Sequence, residues 1–106
     1  MSLAELKALM DTLNMDTVYG YFPEEKNPPY IAYQAETAQS INADGIVVLL
    51  LANITLTLVT ARRDPGTESQ IADLLTDAGV DFGEPDYEFD ETQKIHKTSF
   101  YFQTID

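Results

Sequence analysis

A single histidine, His96, stands in the stretch KIHKTSF, between two lysines. Imidazole is the side chain best suited to moving protons near neutral pH, so catalysis would be sought here first. No local nucleophile signature such as G-x-S-x-G accompanies it. A Ser-His-Asp set can be assembled on paper from almost any chain that holds those residues, so His96 is expected to be an ordinary strand-face histidine. Aspartate and glutamate total 18. Paired acid–base catalysis needs two carboxylates set apart by burial or by a charged neighbour, and nothing marks such a pair. The oxygen-rich stretch DAGVDFGEPDYEFDE lacks the D-x-D-x-D-G spacing of a calcium loop. There is no H-E-x-x-H, and one histidine cannot supply a histidine-rich metal site. The absence of cysteine excludes disulfides, cysteine zinc sites and thiol catalysis. Glycines at 20, 45, 66, 79 and 83 never cluster, so no phosphate-binding loop is expected. The chain is expected not to be an enzyme and to need no cofactor or metal.

Composition narrows the class further. A chain of 106 residues suits one domain, 1–106. A domain of this size can bury roughly 65% of its unfolded surface. At 44% hydrophobic, with six Tyr and five Phe, it is too apolar to stay disordered despite a net charge of −12. That charge argues against generic binding to nucleic acid or anionic membranes. The basic residues, with Arg62-Arg63 and Lys94…Lys97 as the local pairs, are too few for a nucleic-acid patch. Between Asp64 and Glu91 there are ten acidic residues and no basic one, which reads as a solvated acidic face or as a surface for a basic partner. The longest apolar run is IVVLLLA. It is far short of the roughly 20 residues that cross a bilayer. The start of the chain lacks a signal-peptide pattern. A soluble protein outside the usual export route is expected.

The elements that would carry any site follow from periodicity. Residues 2–13 predict a helix, with Ser2 and Glu5 as a capping box and Leu3, Leu6, Met10 and Leu13 as its apolar stripe. Residues 16–22 predict a short strand, and PEEKNPP a polar turn. A second strand is expected from Tyr30 to about Thr37, with Asp44-Gly45 as a hairpin signal. Ile46–Thr60 is the strongest strand signal. Pro65 and Gly66 break it, Thr67 and Gln70 suggest a capping box, and a helix should run to Gly79. Residues 80–89 predict a strand interrupted at Glu84-Pro85, and Ile95–Ile105 the last strand. The order α-β-β-β-α-β-β implies an α+β fold: one mostly antiparallel sheet with two helices packed on it.

Two groups of residues stand out on these elements. If alternation along the long strand is unbroken, Ile46, Val48, Leu50, Ala52, Ile54, Leu56 and Leu58 share one face. Val47, Leu49 and Leu51 then make the second face apolar too. Either the first helix crosses that second face or another subunit covers it, because monomers seldom leave such a patch in water. Val47, Leu49 and Leu51, together with Arg62 and Arg63 as scarce cations, are the candidate subunit interface. Tyr19, Tyr21, Tyr30 and Tyr33 are expected to pack as half-buried strand residues, with an aromatic binding surface as the alternative. The stretch NPPYIAY does not match P-x-x-P, and its alternation favours a folded strand over a proline-rich ligand.

Taken together, these segments carry a resemblance. The segments are VYGYFPEEKNPPYIAY, then NADGIVVLLLANITLTLVTARRDPGTESQIADLLTDAGVDF, then an acidic linker and HKTSFYFQT. With the N-terminal helix, they resemble the small minor tail and tail-completion (tail-terminator-like) proteins of prophages and siphophages of Gram-positive bacteria. The most specific parts are P-P-Y-I-x-Y, the A-D before the long strand, and T-x-x-x-D-P-x-x-E from Thr60 to Glu68, followed by a helix and G-V-D-F. The resemblance implies an α+β fold and a structural role in the virion tail, after assembly in the host cytoplasm. It implies self-association into a ring, often a hexamer, that caps the tail tube where it meets the head. Its partners would be copies of itself, the tail tube protein and the head–tail connector proteins. Such a ring ends a polymer by matching its last layer and offering no site for another. A neck or head-completion connector, or a small acidic adaptor unrelated to phage, are the alternatives.

Overall fold

The computed structural model describes residues 3–20 and 27–105, with side chains described for residues 4–20, 27–36, 44, 45 and 51–104. The element order is α1 (Leu3–Asp11), β1 (Asp16–Tyr19), β2 (Tyr30–Ala43), β3 (Ile46–Thr60), α2 (Pro65–Asp77), β4 (Asp86–Asp90) and β5 (Ile95–Ile105). The strands form one sheet in the order β1-β2-β3-β5-β4. All neighbours are antiparallel except β1 and β2, which run parallel with Asp16 opposite Tyr30 and Tyr19 opposite Tyr33. This is the α+β sheet with two helices that the periodicity implies. Ser2, the expected cap of α1, lies outside the described residues, as does most of the turn expected after β1.

β3 is the centre because it alternates apolar residues over most of its length and has partners on both sides. Ala52, Ile54, Leu56 and Leu58 pack with Ile31 and Tyr33 of β2 and with Phe100 and Phe102 of β5. Both helices cover this one face: Leu6 and Met10 from α1, and Ile71 and Leu75 from α2, join the same buried cluster. Helix α1 therefore does not lie across the Leu51 face. At nine residues it is too short to persist alone, and this buried stripe holds it in place. The opposite face buries a smaller group, Tyr30, Ala32, Val59 and Ile95, beside a Thr57–Ser99 hydroxyl pair at 3.0 Å.

Local chemistry explains most boundaries. The β2–β3 turn has Asp44 at φ 53° and Gly45 at φ 77°. Two successive left-handed residues suit a tight hairpin. Strand β2 runs past Thr37 to Ala43, because pairing with β3 carries the polar stretch AQSINA into the ladder despite its poor strand propensity. Helix α2 begins earlier than the Thr67 reading. Asp64 is the N-cap: its carboxylate accepts from the Thr67 amide at 3.1 Å and from the Thr67 hydroxyl. Pro65 fills the first helical position, where an amide hydrogen would have no partner. At the other end Gly79 has φ 81°, its amide donates to Thr76 O, and Val80 N donates to Leu75 O at 2.9 Å. These are the paired bonds of a Schellman stop, with Val80 packed on the core that holds Leu75. Residues 80–85 form no strand; β4 starts only after Pro85, which cannot donate to a ladder. A turn then leads to β5, with Asp90 Oδ1 accepting from the Thr92 and Gln93 amides.

The Asp64 cap gives a pH-dependent expectation. The Thr67 hydroxyl, then its amide, hold the carboxyl below its usual range. A depressed folded value means the stabilisation is complete above the unfolded value near 3.8 and is lost as pH falls through the lower folded one. Asp64→Ala should cost about 1 kcal/mol at pH 7. Urea titrations of parent and variant should differ at neutral pH and draw together as pH falls through the lowered folded value. A difference that persists there would remove the carboxylate from the cap's role.

Strand β4 forms one edge of the sheet and is mostly exposed. Tyr87 and Phe89 sit opposite Thr98 and His96 and share the helix-bearing face. Asp86, Glu88 and Asp90 alternate with them on the other face.

Candidate assembly surface

The longest strands outrun the rest of the sheet. Pairing between β3 and β5 begins with Leu51 opposite Ile105, and β1 reaches only Tyr33 of β2. Residues 37–43 of β2 and 46–50 of β3 therefore form a two-stranded arm; among the described residues no third strand pairs with it. The molecule measures 51 × 28 × 23 Å. A strand rises about 3.4 Å per residue, so β3 with its 15 residues accounts for the long dimension. The arm's register shifts between Thr37 and Gln39 and between Ile41 and Asn42. At the second shift Ile41 faces Leu49 while Asn42 faces Val47, so Val48 is passed over. The unbroken alternation assumed for Val47, Leu49 and Leu51 stops there, because an extra residue in one strand shifts the pleat. The side chains of Val47 and Leu49 lie outside those described. Leu51 stands at the root of the arm, half-buried, on the face opposite the helices.

The two arginines part company. Arg63 is held inside the subunit: its Nε bonds Glu68 at 3.3 Å and its guanidinium lies 3.7 Å from the centre of the Tyr87 ring. Glu68 also accepts from the buried Thr98 hydroxyl at 2.9 Å, so one carboxylate ties α2 to both the β3–α2 loop and β5. Arg62 is exposed and makes no ion pair among the described residues. His96 bonds the Tyr87 hydroxyl through Nδ1 and packs on Phe89 at 4.8 Å, which makes it a strand-face histidine among aromatics. Sequence reasoning did not single out Tyr87 and Phe89. Their signal was the strict alternation of DYEFD after Pro85.

The four tyrosines do not make one surface. Tyr30 and Tyr33 are buried on opposite faces, while Tyr19 is exposed with its ring edge-to-face on Tyr33 at 5.1 Å. Tyr21 lies outside the described residues. The open face instead carries Tyr101, 48% exposed, and the Gln103–Asn53 bond at 3.0 Å.

A cleft of about 530 Å³ opens between the end of α2 and the end of β5, with Val80, Asp81, Phe102 and Thr104 in its walls. Thr104 is buried, and its hydroxyl has no hydrogen-bond partner among the described residues. Such a group costs about 1–3 kcal/mol when it stays unsatisfied. The end of α2 adds the negative pole of the helix, and its last turn holds no basic residue to offset it. Among the described residues no group of three His, Asp or Glu side chains could hold a metal ion. No helix among them is long and apolar enough to cross a membrane. Compared with known proteins, the chain matches no family model and no curated protein.

Proposed function

We propose that this protein is a structural subunit that assembles with copies of itself, as a ring that completes a phage tail tube at the head–tail junction. The observation that carries the reading is the β2–β3 arm, which extends past every other described strand and holds IVVLL in β3. A two-stranded ribbon is marginal in water by itself, and a hydrophobic one asks for a surface to pack on. A neighbouring copy supplies that surface in a ring. The tail-end position comes from the resemblance of the P-P-Y-I-x-Y and T-x-x-x-D-P-x-x-E segments to tail-completion proteins. The net charge of −12 suits a ring through which DNA passes without sticking. Electron microscopy of particles from a phage lacking the gene tests the position. Tails of uncontrolled length, or tails without heads, are expected; tails of normal length joined to heads would sink the terminator reading.

A further inference from the structure

We infer that the cleft at the end of α2 is the seat for Arg62 of a neighbouring copy; this rests on the proposed self-assembly and specifies one of its contacts. The two features lie at opposite ends of the subunit. On β3, Ala52 pairs with Thr104 beside the cleft, whereas Thr60, just before Arg62, pairs with His96. Helix α2 runs between these ends with 13 residues. At 1.5 Å per residue that is a span of roughly 20 Å. Arg62 cannot reach the cleft of its own chain, but it can reach that of the next.

The chemistry of the two ends is complementary. The cleft joins the exposed Asp81 to the negative pole of α2, with the buried Thr104 in its wall. A guanidinium offers five donors in a planar fork, enough for a carboxylate and a helix-end carbonyl together. Arg63, Lys7 and Lys97 are already paired with Glu68, Asp11 and Asp90. Arg62 and Lys94 have no such ion pair among the described residues, and of the two only Arg62 offers a planar fork. A contact between two different patches at opposite ends is head-to-tail, and head-to-tail contacts build rings when the rotation closes. The arm projects from the cleft end, so arm and cleft would meet the same neighbour.

The chain has no cysteine, so an introduced thiol is unique. Ala61 adjoins Arg62, and Ala78 lines the cleft; both are exposed, and replacing them leaves Arg62 and Asp81 in place. Full-length Ala61→Cys and uniformly 15N-labelled Ala78→Cys variants, mixed in equal amounts, are treated with a short bismaleimide, and the isotope label lets mass spectrometry separate mixed dimers from like ones. Mixed dimers should outnumber the two like dimers combined several-fold, whereas random collision makes the two amounts equal. A chain carrying both thiols should give a ladder of higher species. Equal amounts of mixed and like dimers overturn the inference. If native mass spectrometry of the parent still shows oligomers in that case, the proposed assembly stands and only this contact falls. Monomers throughout, with no ladder, would sink both.

Discussion

Phe100→Ala is expected to cost about 3–5 kcal/mol, the usual range for removing a fully buried phenylalanine. Phe100 is 1% exposed, sits opposite Leu56 in the β3–β5 ladder and meets Phe82 edge-to-face at 5.4 Å. Its ring therefore joins the sheet to the chain that follows α2. With α2 lying over the same cluster, the walls cannot collapse into the space without moving the helix. A domain has about 5–15 kcal/mol in total, so the variant should sit near the edge of folding. At about 1–3 kcal/mol per molar, the urea midpoint should fall by roughly 2 M. Far-UV circular dichroism through a urea series reads this directly. A midpoint within about 0.5 M of the parent's would mean that Phe100 is not central to the core.

The second large effect is on assembly rather than folding. Replacing Val47, Leu49 and Leu51 together by glutamate should abolish self-association while leaving the sheet folded. Burial of an aliphatic side chain is worth about 1.5–3 kcal/mol, and each 1.4 kcal/mol is about tenfold in affinity. Even if only two of the three are buried between copies, affinity should fall by more than about 100-fold. The core should be spared, because β3 is flanked by β5 only from Leu51 onward and the buried cluster starts at Ala52. Sedimentation velocity reads the assembly and thermal unfolding reads the fold. An unchanged oligomer with an unchanged melting temperature would remove the arm from the interface.

How far this was legible in the sequence depends on the range of the interactions involved. β3 and β5 carry strong β-branched or aromatic alternation, and their predicted bounds coincide with the observed ones. The start of α2 was displaced because Thr67-x-x-Gln70 and Asp64-Pro65 are competing caps, and proline at the first helical position decides for Asp64. The far half of β2 was missed because AQSINA has little propensity of its own and is recruited by its partner. The parallel pairing of β1 with β2 carries no local signal, since DTVY reads the same in either direction. For the candidate interface, the scarcity of cations drew attention to Arg62 and Arg63, but only the fold separates them. Arg63 meets Tyr87 across a long stretch of chain, a contact no local pattern encodes. The shift at Val48 was likewise hidden, because IVVLL is apolar in either register.

The alternating acids of β4 bear on a hazard that every sheet with an open border faces. An edge strand is a template, and identical chains at high concentration are where templates recruit one another into fibres. Asp86, Glu88 and Asp90 recur at every second position along that border. Hydrogen bonds from the Gln93 and Thr92 backbone, and the charge of Lys97, keep Asp90 ionised to lower pH than an ordinary aspartate. Two copies of this strand laid side by side would bring like charges into register, which like-charged neighbours resist. The border thus works as a fence around the chain: it opposes endless strand-by-strand growth.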